Sequence, residues 1–469
     1  MSRRRTLPFL MAAVVAALWA PAAAVAQEAD GRLQATTTSA EARSAFWGGV
    51  EDLTNVFPAR ARARFGQAVA LDPAFGLARA FNTSIALGMD DAAIAREMER
   101  AVADAAGATT GELLVAMSLR ASALDRDAEA AALITAASSI LAADPVVALM
   151  ATQVAPTAGV DGVALMIKRF PEFAPSHNTL AYQLWGRGDR AGALEQVMLY
   201  VELQPQHPNA HDSYAEILQF EGRLPEALQH YQRAAELDPT FDQAYAGMAE
   251  VHVLMGHAPE ARRSYAMAAD HAPTAVSRIN SMAASALTYV VERKPKDAVR
   301  ALDAAATLAE QETSRGQAAA LHRTSALVEA MFGSRNAALA QLAKAGELGG
   351  LDTPVQDRFT ALVEAVTGRP AEARAATERF ASAVANGSAA QQNNLRELRA
   401  VVAIAGRDLV LARTELDAAG AAPLGRALLA EAYRKGGQRA DSDALVQEIK
   451  TTGSLTPFDL LARAKVARL

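Results

Sequence analysis

Glycine and proline recur at one fixed interval in the middle of this 469-residue chain. The interval of 34 residues separates the members of two sets: Gly188, Gly222 and Gly256, and Pro205, Pro239 and Pro273. A fixed period of this length indicates that one supersecondary unit has been copied and stacked. The period therefore decides the fold class before any single residue is interpreted.

Each copy is predicted to form a helix, a tight turn and a second helix. In residues 208–241, apolar side chains recur at helical spacing on both sides of Gly222. Glycine at that place favours a left-handed helix cap, and Pro239 ends the second helix because proline cannot continue it. The small side chains of Ala215 and Ala227 are expected to let the two helices approach closely.

These positions resemble the tetratricopeptide repeat family, whose pattern has a Leu-Gly/Ala step, a later Ala, an aromatic residue and a closing Pro. In residues 208–241 the matching positions are Tyr214-Ala215, Gly222, Ala227, Tyr231 and Pro239. The resemblance implies an all-α fold, a right-handed α-solenoid of helix–turn–helix repeats. One such hairpin cannot bury its apolar face alone, so neighbouring repeats must stack.

The first 26 residues have the pattern of a cleavable secretory signal. A basic start (Ser2–Arg5), an apolar stretch (Phe9–Trp19) and Ala24-Val25-Ala26 follow one another. A membrane anchor is the alternative, but the apolar stretch is short for a span. We therefore expect cleavage after Ala26 and a location in the periplasm or outside the cell. With no Cys in the sequence, disulfides, thiolate metal sites and Cys nucleophiles are excluded.

The rest of the chain divides by the strength of the repeat. We expect a disordered leader at 27–40, degenerate repeats at 41–173, three well-formed repeats at 174–275, and degenerate helical repeats at 276–469. The polar stretch Asn386–Asn394 is predicted to be a loop or hinge. No run of alternating β-branched residues predicts a strand.

Charge argues against two classes of partner. Without the three Arg of residues 1–26, the chain carries 43 basic and 52 acidic residues, a net charge of −9. General binding of nucleic acid or of anionic membranes is therefore not expected. No later stretch is long and apolar enough to predict a membrane span.

Several residue combinations suggest chemistry, but none of them carries it. His211-Asp212-Ser213 has the residue types of a hydrolase triad, yet consecutive residues on a helix point about 100° apart. His207 and His211 have the spacing of two metal ligands on a helix, but Pro208 lies between them and no third ligand is evident. We expect no enzyme activity, no metal and no cofactor, and interpret these histidines as exposed repeat surface.

The resemblance also implies where a ligand would bind, because first helices of successive repeats in this family line a concave groove that holds peptides. Acidic side chains in this set favour a neutral or basic partner. Exposed aromatic side chains there would form a binding hot spot, although Trp185 and Phe220 would equally suit packing between repeats. The candidate partner-binding residues are Asn178, Tyr182, Trp185, Asn209, Asp212, Glu216, Gln219, Phe220, Gln243 and Glu250, with Val253 also predicted to point outwards.

The sequence thus predicts a non-catalytic scaffold, exported to the bacterial envelope, that binds a peptide or protein partner. An accessory subunit for envelope assembly or quality control, held in an obligate complex, is the alternative. A metal-binding or solute-binding protein, or a hidden enzyme, is the third possibility.

Overall fold

The computed structural model describes residues 30–86, 89–154, 159–313, 315–349, 353–420, 422–451, 453, 455–467 and 469. These residues form 25 α-helices and no strand. The all-α solenoid predicted from the sequence is confirmed. The predicted signal peptide, residues 1–26, lies outside the described residues. None of the described helices is both long and apolar enough to cross a membrane.

The chain divides into two compact units between Pro205 and Gln206. The division falls after the first of the three strongest repeats, where the sequence predicts one continuous array. The helices of unit 1 are α1 Ala40–Thr54, α2 Pro58–Leu71, α3 Gly76–Ser84, α4 Asp91–Ala105, α5 Thr110–Ala123, α6 Asp127–Ile140, α7 Pro145–Val154, α8 Gly159–Arg169, α9 Ala174–Gly186 and α10 Arg190–Leu203.

Unit 2 contains the remaining fifteen described helices. They are α11 Pro208–Phe220, α12 Leu224–Leu237, α13 Asp242–Leu254, α14 Ala258–His271, α15 Ala275–Val291, α16 Pro295–Glu312, α17 Arg315–Phe332, α18 Arg335–Gly349, α19 Thr353–Val366, α20 Pro370–Ala383, α21 Ala389–Ala405, α22 Leu409–Ala419, α23 Pro423–Lys435, α24 Arg439–Thr451 and α25 Pro457–Val466.

Consecutive helices pair as hairpins, and glycine shapes the turn as predicted. Gly222 has φ 75°, in the left-handed region, and the backbone N–H of Arg223 donates to the carbonyl of Leu218 at 2.9 Å. In the same hairpin Ala215 and Ala227 are fully buried between the helices. The predicted roles of these three positions are confirmed.

Hairpins continue after residue 275, although glycine is missing from some of their turns. Arg293 and Arg407 both have φ 64° where Gly222 has its positive φ. The predicted loop at Asn386–Asn394 is mostly wrong, because α21 begins at Ala389. Ser388 and Gln391 form a capping box there, in which polar side chains start a helix rather than a loop.

The described part of the expected disordered leader is ordered. Leu33 is buried, and its N–H donates to Asp144 at 3.0 Å. The N–H and hydroxyl of Thr36 donate to the carboxylate of Glu112. Polar composition suggested disorder, but carboxylates near the starts of α5 and α7 supply the hydrogen bonds that an extended segment needs.

The first helices of the hairpins, which carry odd numbers, lie side by side within each unit. Contacts join α3 to α5 in unit 1, and α11 to α13 and α17 to α19 in unit 2. We call the surface that these helices form the first-helix face. It is the surface on which the resemblance implies that a ligand binds.

Candidate partner-binding surfaces

An apolar groove of about 390 Å³ runs along the first-helix face of unit 1. It is lined by side chains of α1, α3, α5, α7 and α9 and of the turn after α1. No lining side chain is charged at neutral pH, so the groove suits uncharged and apolar groups. The lining includes Val50, Leu53, Val56, Phe81, Leu119, Val146, Leu149, Met150, Val154 and Asn178.

Val56 is the most unusual residue in this groove. Its φ of 66° lies in the left-handed region, which a β-branched side chain rarely adopts. It occupies the turn position that Gly222 has in its own hairpin, and the N–H of Phe57 donates to the carbonyl of Asp52 at 2.8 Å. Val56 is also 43% exposed, so an apolar side chain is held at the edge of the groove at a cost in strain.

Asn178 brings a polar group to the same apolar lining. The residue is only 8% exposed, and its Oδ1 atom has no hydrogen-bond partner among the described residues. A buried acceptor without a partner costs about 1–3 kcal/mol. Of the ten residues predicted from the sequence, Asn178 is the one that lines this groove.

The other predicted residues of unit 1 lie further along α9. Tyr182 and Trp185 are both partly buried. The guanidinium of Arg190 lies 5.1 Å from the centroid of the Trp185 ring, so this ring contacts the next helix of its own hairpin. Their role in binding a partner stays a prediction.

In unit 2, predicted residues of α11 and α13 form a hydrogen-bonded group. Gln219 is 1% exposed, and its Nε2 donates to Glu250 at 2.9 Å and to the carbonyl of Gly453 at 3.0 Å. The hydroxyl of Tyr231 donates to Oε1 of Gln219 at 3.2 Å. The side chain of Gln219 is thus engaged within the protein.

Carboxyl groups accumulate beside Gln219. Burial raises the pKa of Glu250 to about 7, the hydrogen bond from Gln219 opposes this, and Glu216 raises it further. Burial likewise raises the pKa of Asp212 well above its ordinary value, with contributions from Glu216, Glu250 and Asp242. The sequence predicted acidic residues here, but not their burial.

The remaining predicted residues of unit 2 differ in exposure. Asn209 is buried, Gln243 is exposed, and Phe220 is partly buried. The outward position predicted for Val253 is wrong, since this side chain belongs to the apolar core of unit 2. The binding role of the others stays a prediction.

A segment of the chain itself lies on the first-helix face of unit 2. We call residues 453 and 455–467 the closing segment. A Cβ atom added at Gly453 would lie 2.7 Å from Cα of Phe220, and α25 packs against α15, α17 and α23. The backbone carbonyl of Ala467 accepts from Arg293 at 3.1 Å. Sequence reasoning missed this contact because the residues it joins are 234 and 174 positions apart.

Of the two histidines expected on an exposed surface, His211 is buried and His207 is partly buried. His177 and His322 are buried, and each bonds a glutamine 19 residues later, Gln196 at 2.9 Å and Gln341 at 2.7 Å. His211, also buried, has its Nδ1 atom 3.1 Å from Nδ1 of His230. Among the described residues, no group of three or more His, Asp or Glu is placed to hold a metal ion.

Comparison with known proteins gives one sequence match. Residues 221–256, which span the first turn of unit 2, α12 and α13, match the tetratricopeptide repeat family. No curated protein matches the sequence.

Several solved structures resemble the chain at low identity. A tetratricopeptide repeat protein from Parabacteroides merdae is 17% identical, with 55% of this chain and 97% of that chain covered and a TM-score of 0.39. The Cut9–Hcn1 hetero-tetramer of APC/C gives 15% identity, 76% coverage of both chains and a TM-score of 0.37. YrrB, described as a protein with an unusual peptide-binding site, is 19% identical, with 40% of this chain and 91% of that chain covered and a TM-score of 0.27.

The sequence match covers a segment in which the structure shows the expected hairpin geometry. Gly222 and Gly256 have positive φ at two successive turns, and Tyr231 and Ala234 are buried between them. Together, the match and the hairpin geometry identify residues 221–256 as a tetratricopeptide repeat.

Proposed function

We propose that this protein is an exported, non-catalytic scaffold that binds an apolar, uncharged segment of a partner protein in the groove of unit 1. Proteins built from these repeats serve as interaction scaffolds. The observation that carries the proposal is the groove itself, an apolar surface on the first-helix face with no charged lining.

Asn178 and Val56 support a peptide as the occupant. The unpaired Oδ1 of Asn178 is enclosed, and rotation of its amide would present it to a backbone N–H of an extended partner segment, whereas a hydrocarbon chain has no donor to give. Val56 adds apolar area at the edge of the groove. Side chains of the partner that contact this groove are apolar, because an unpaired charge there would lose its hydration.

Substitution at Val56 separates binding from folding. Val56→Gly removes the strain of a positive φ and should stabilise unit 1 by about 1 kcal/mol. The same change removes an apolar contact from the groove and should weaken partner capture. Stability is measured by urea unfolding, and capture by pull-down from envelope extracts with mass spectrometry.

Arg407→Gly is the matched control, because it relieves the same backbone conformation at a turn of unit 2. It should raise stability and leave capture unchanged. If Val56→Gly captures the same proteins as the wild type, at the same yield, the groove is not the binding surface.

Export is tested independently. The mature protein isolated from a Gram-negative host should begin at Gln27 and be recovered in the periplasmic fraction or the medium. An intact mass that includes residues 1–26 would contradict the proposed cleavage after Ala26.

A further inference from the structure

The closing segment departs from the hairpin pattern of the helices before it. No described helix pairs with α25 as the second member of a hairpin. It packs against the first helices α15, α17 and α23 and against the second helix α24. It therefore occupies unit 2 where a ligand of a repeat array would lie.

The closing segment is equipped to form a helix by itself. The hydroxyl of Thr456 accepts from the N–H of Asp459, the carboxylate of Asp459 accepts from the N–H of Thr456, and Pro457 follows the cap. This capping box provides hydrogen-bond partners for the start of α25 without a neighbouring helix.

The fit between the closing segment and unit 2 is mainly apolar. Leu460 and Leu461 are 1% and 0% exposed and belong to the core of unit 2. The ring of Phe458 lies 5.0 Å from the guanidinium carbon of Arg358 and 6.2 Å from the ring of Phe359. At both ends, backbone carbonyls of the segment accept from unit 2 side chains, at Gly453 and at Ala467.

Charge is complementary along the same contact. Lys465 of the segment lies 2.9 Å from the carboxylate of Glu431 on α23. An apolar helix with basic residues towards its end is thus matched to this face.

We propose that the first-helix face of unit 2 is a binding surface for an amphipathic helix, and that the closing segment occupies it as an internal ligand. In this state unit 2 is closed to partner helices. A helix that competes for the surface carries an aromatic residue, two adjacent leucines and a basic residue at the spacing of Phe458, Leu460, Leu461 and Lys465. The proposal concerns unit 2 and does not depend on the groove of unit 1.

The test uses the full chain with a protease site inserted after Thr451, so that the protein folds before it is cut. After cleavage, a fluorescent peptide with the sequence of residues 453–467 is added. Fluorescence anisotropy follows its binding, and circular dichroism follows the helices of unit 2. A peptide carrying Leu460→Asp and Leu461→Asp is the matched control.

The labelled peptide should bind the cut protein, at least tenfold more tightly than the control peptide, and should not bind the uncut protein. Helix content should be unchanged while the segments exchange. Two results would overturn the proposal. In the first, the cut segment stays bound in the presence of excess peptide until the protein unfolds. In the second, release of the segment unfolds unit 2. Either result would show that the closing segment is an integral part of the core.

Discussion

At the scale of single residues, polar pairs cross the hairpins at one repeated spacing. His177 pairs with Gln196, His211 with His230, and His322 with Gln341, each 19 residues apart. A pair at this spacing joins the first helix of a hairpin to the second. The sequence contained this signal, but it was hidden because the first residue of each pair was interpreted alone.

The His211–His230 pair predicts acid sensitivity. Burial lowers the pKa of His230, and His211 lowers it further. A base with a lowered pKa in the folded state contributes stability that is present above its ordinary value, about 6.5, and lost as pH falls through the folded pKa. His230→Gln, which copies the His177–Gln196 pair, should reduce the loss of stability below pH 6.5.

Urea unfolding between pH 5 and pH 8 measures this effect, and the exposed His257→Gln is the control. Equal acid dependence in His230→Gln and the wild type would rule out the pair as its source.

Glu250 predicts the opposite dependence. Its pKa rises from 4.5 to about 7 on folding, so the folded state binds more protons than the unfolded state between these values. The contribution of Glu250 to stability is therefore greatest below pH 4.5 and is lost as pH rises through 7. Glu250→Gln keeps a hydrogen-bonding group beside Gln219 and should stabilise unit 2 at pH 8 by up to about 3 kcal/mol.

Thermal unfolding at pH 5 and pH 8 checks the prediction, with the exposed Glu310→Gln as control. A gain at pH 5 as large as that at pH 8 would show that the charge of Glu250 is not the cause.

At the scale of the hairpin, the backbone conformation at the turn affects the stability of the protein and how easily the repeat is recognised in the sequence. Gly222 has a positive φ, and a Cβ atom added there would meet no atom within 4 Å. Gly222→Ala should therefore lower the free energy of unfolding by about 1–2 kcal/mol, because alanine is strained in the left-handed conformation. Gly186→Ala, in a helical conformation with the same open space, should be neutral or stabilising. Chemical denaturation of both variants measures the difference, and equal effects would contradict the role of φ.

The same conformation explains where sequence reasoning lost the repeat. The turns at Val56, Asp125, Arg293 and Arg407 have positive φ without glycine. The turn glycine of the motif is absent at these positions, although the spacing of apolar residues still maintains the hairpin. Hairpins at 174–275 were predicted as well-formed repeats, whereas the regions with substituted turns were predicted only as degenerate repeats.

The ordered leader is a further element that the sequence did not reveal. Amides of Leu33 and Thr36 donate to Asp144 and Glu112, so their hydrogen exchange should be slower than in a free peptide of the same sequence. Leu33→Ala should destabilise unit 1 by about 2–3 kcal/mol. Exchange at the free-peptide rate would restore the expectation of a disordered leader.

At the scale of the whole molecule, the sequence predicted the all-α repeat fold but not its division into two units, the groove of unit 1 or the position of the closing segment. Periodicity reports contacts between neighbouring hairpins, which are local in sequence. The groove of unit 1 brings Val56 to the same surface as Asn178, and the closing segment brings Gly453 to Gln219. Contacts at such separations leave no periodic signal. The predicted residues Tyr182 and Glu250 lie on first helices, and their role in binding stays a prediction.

The closing segment also changes when unit 2 can reach its final structure. An open repeat array folds locally, so each hairpin is complete soon after it is synthesised. In unit 2, the hydrogen bond between Gln219 and Gly453 cannot form until Gly453, 234 residues later in the chain, has been synthesised. The contact order of this unit is therefore raised by one short segment. Until that segment is synthesised, the apolar surface that receives Leu460 and Leu461 is exposed to chaperones, proteases and other chains, so synthesis of the segment limits completion of unit 2.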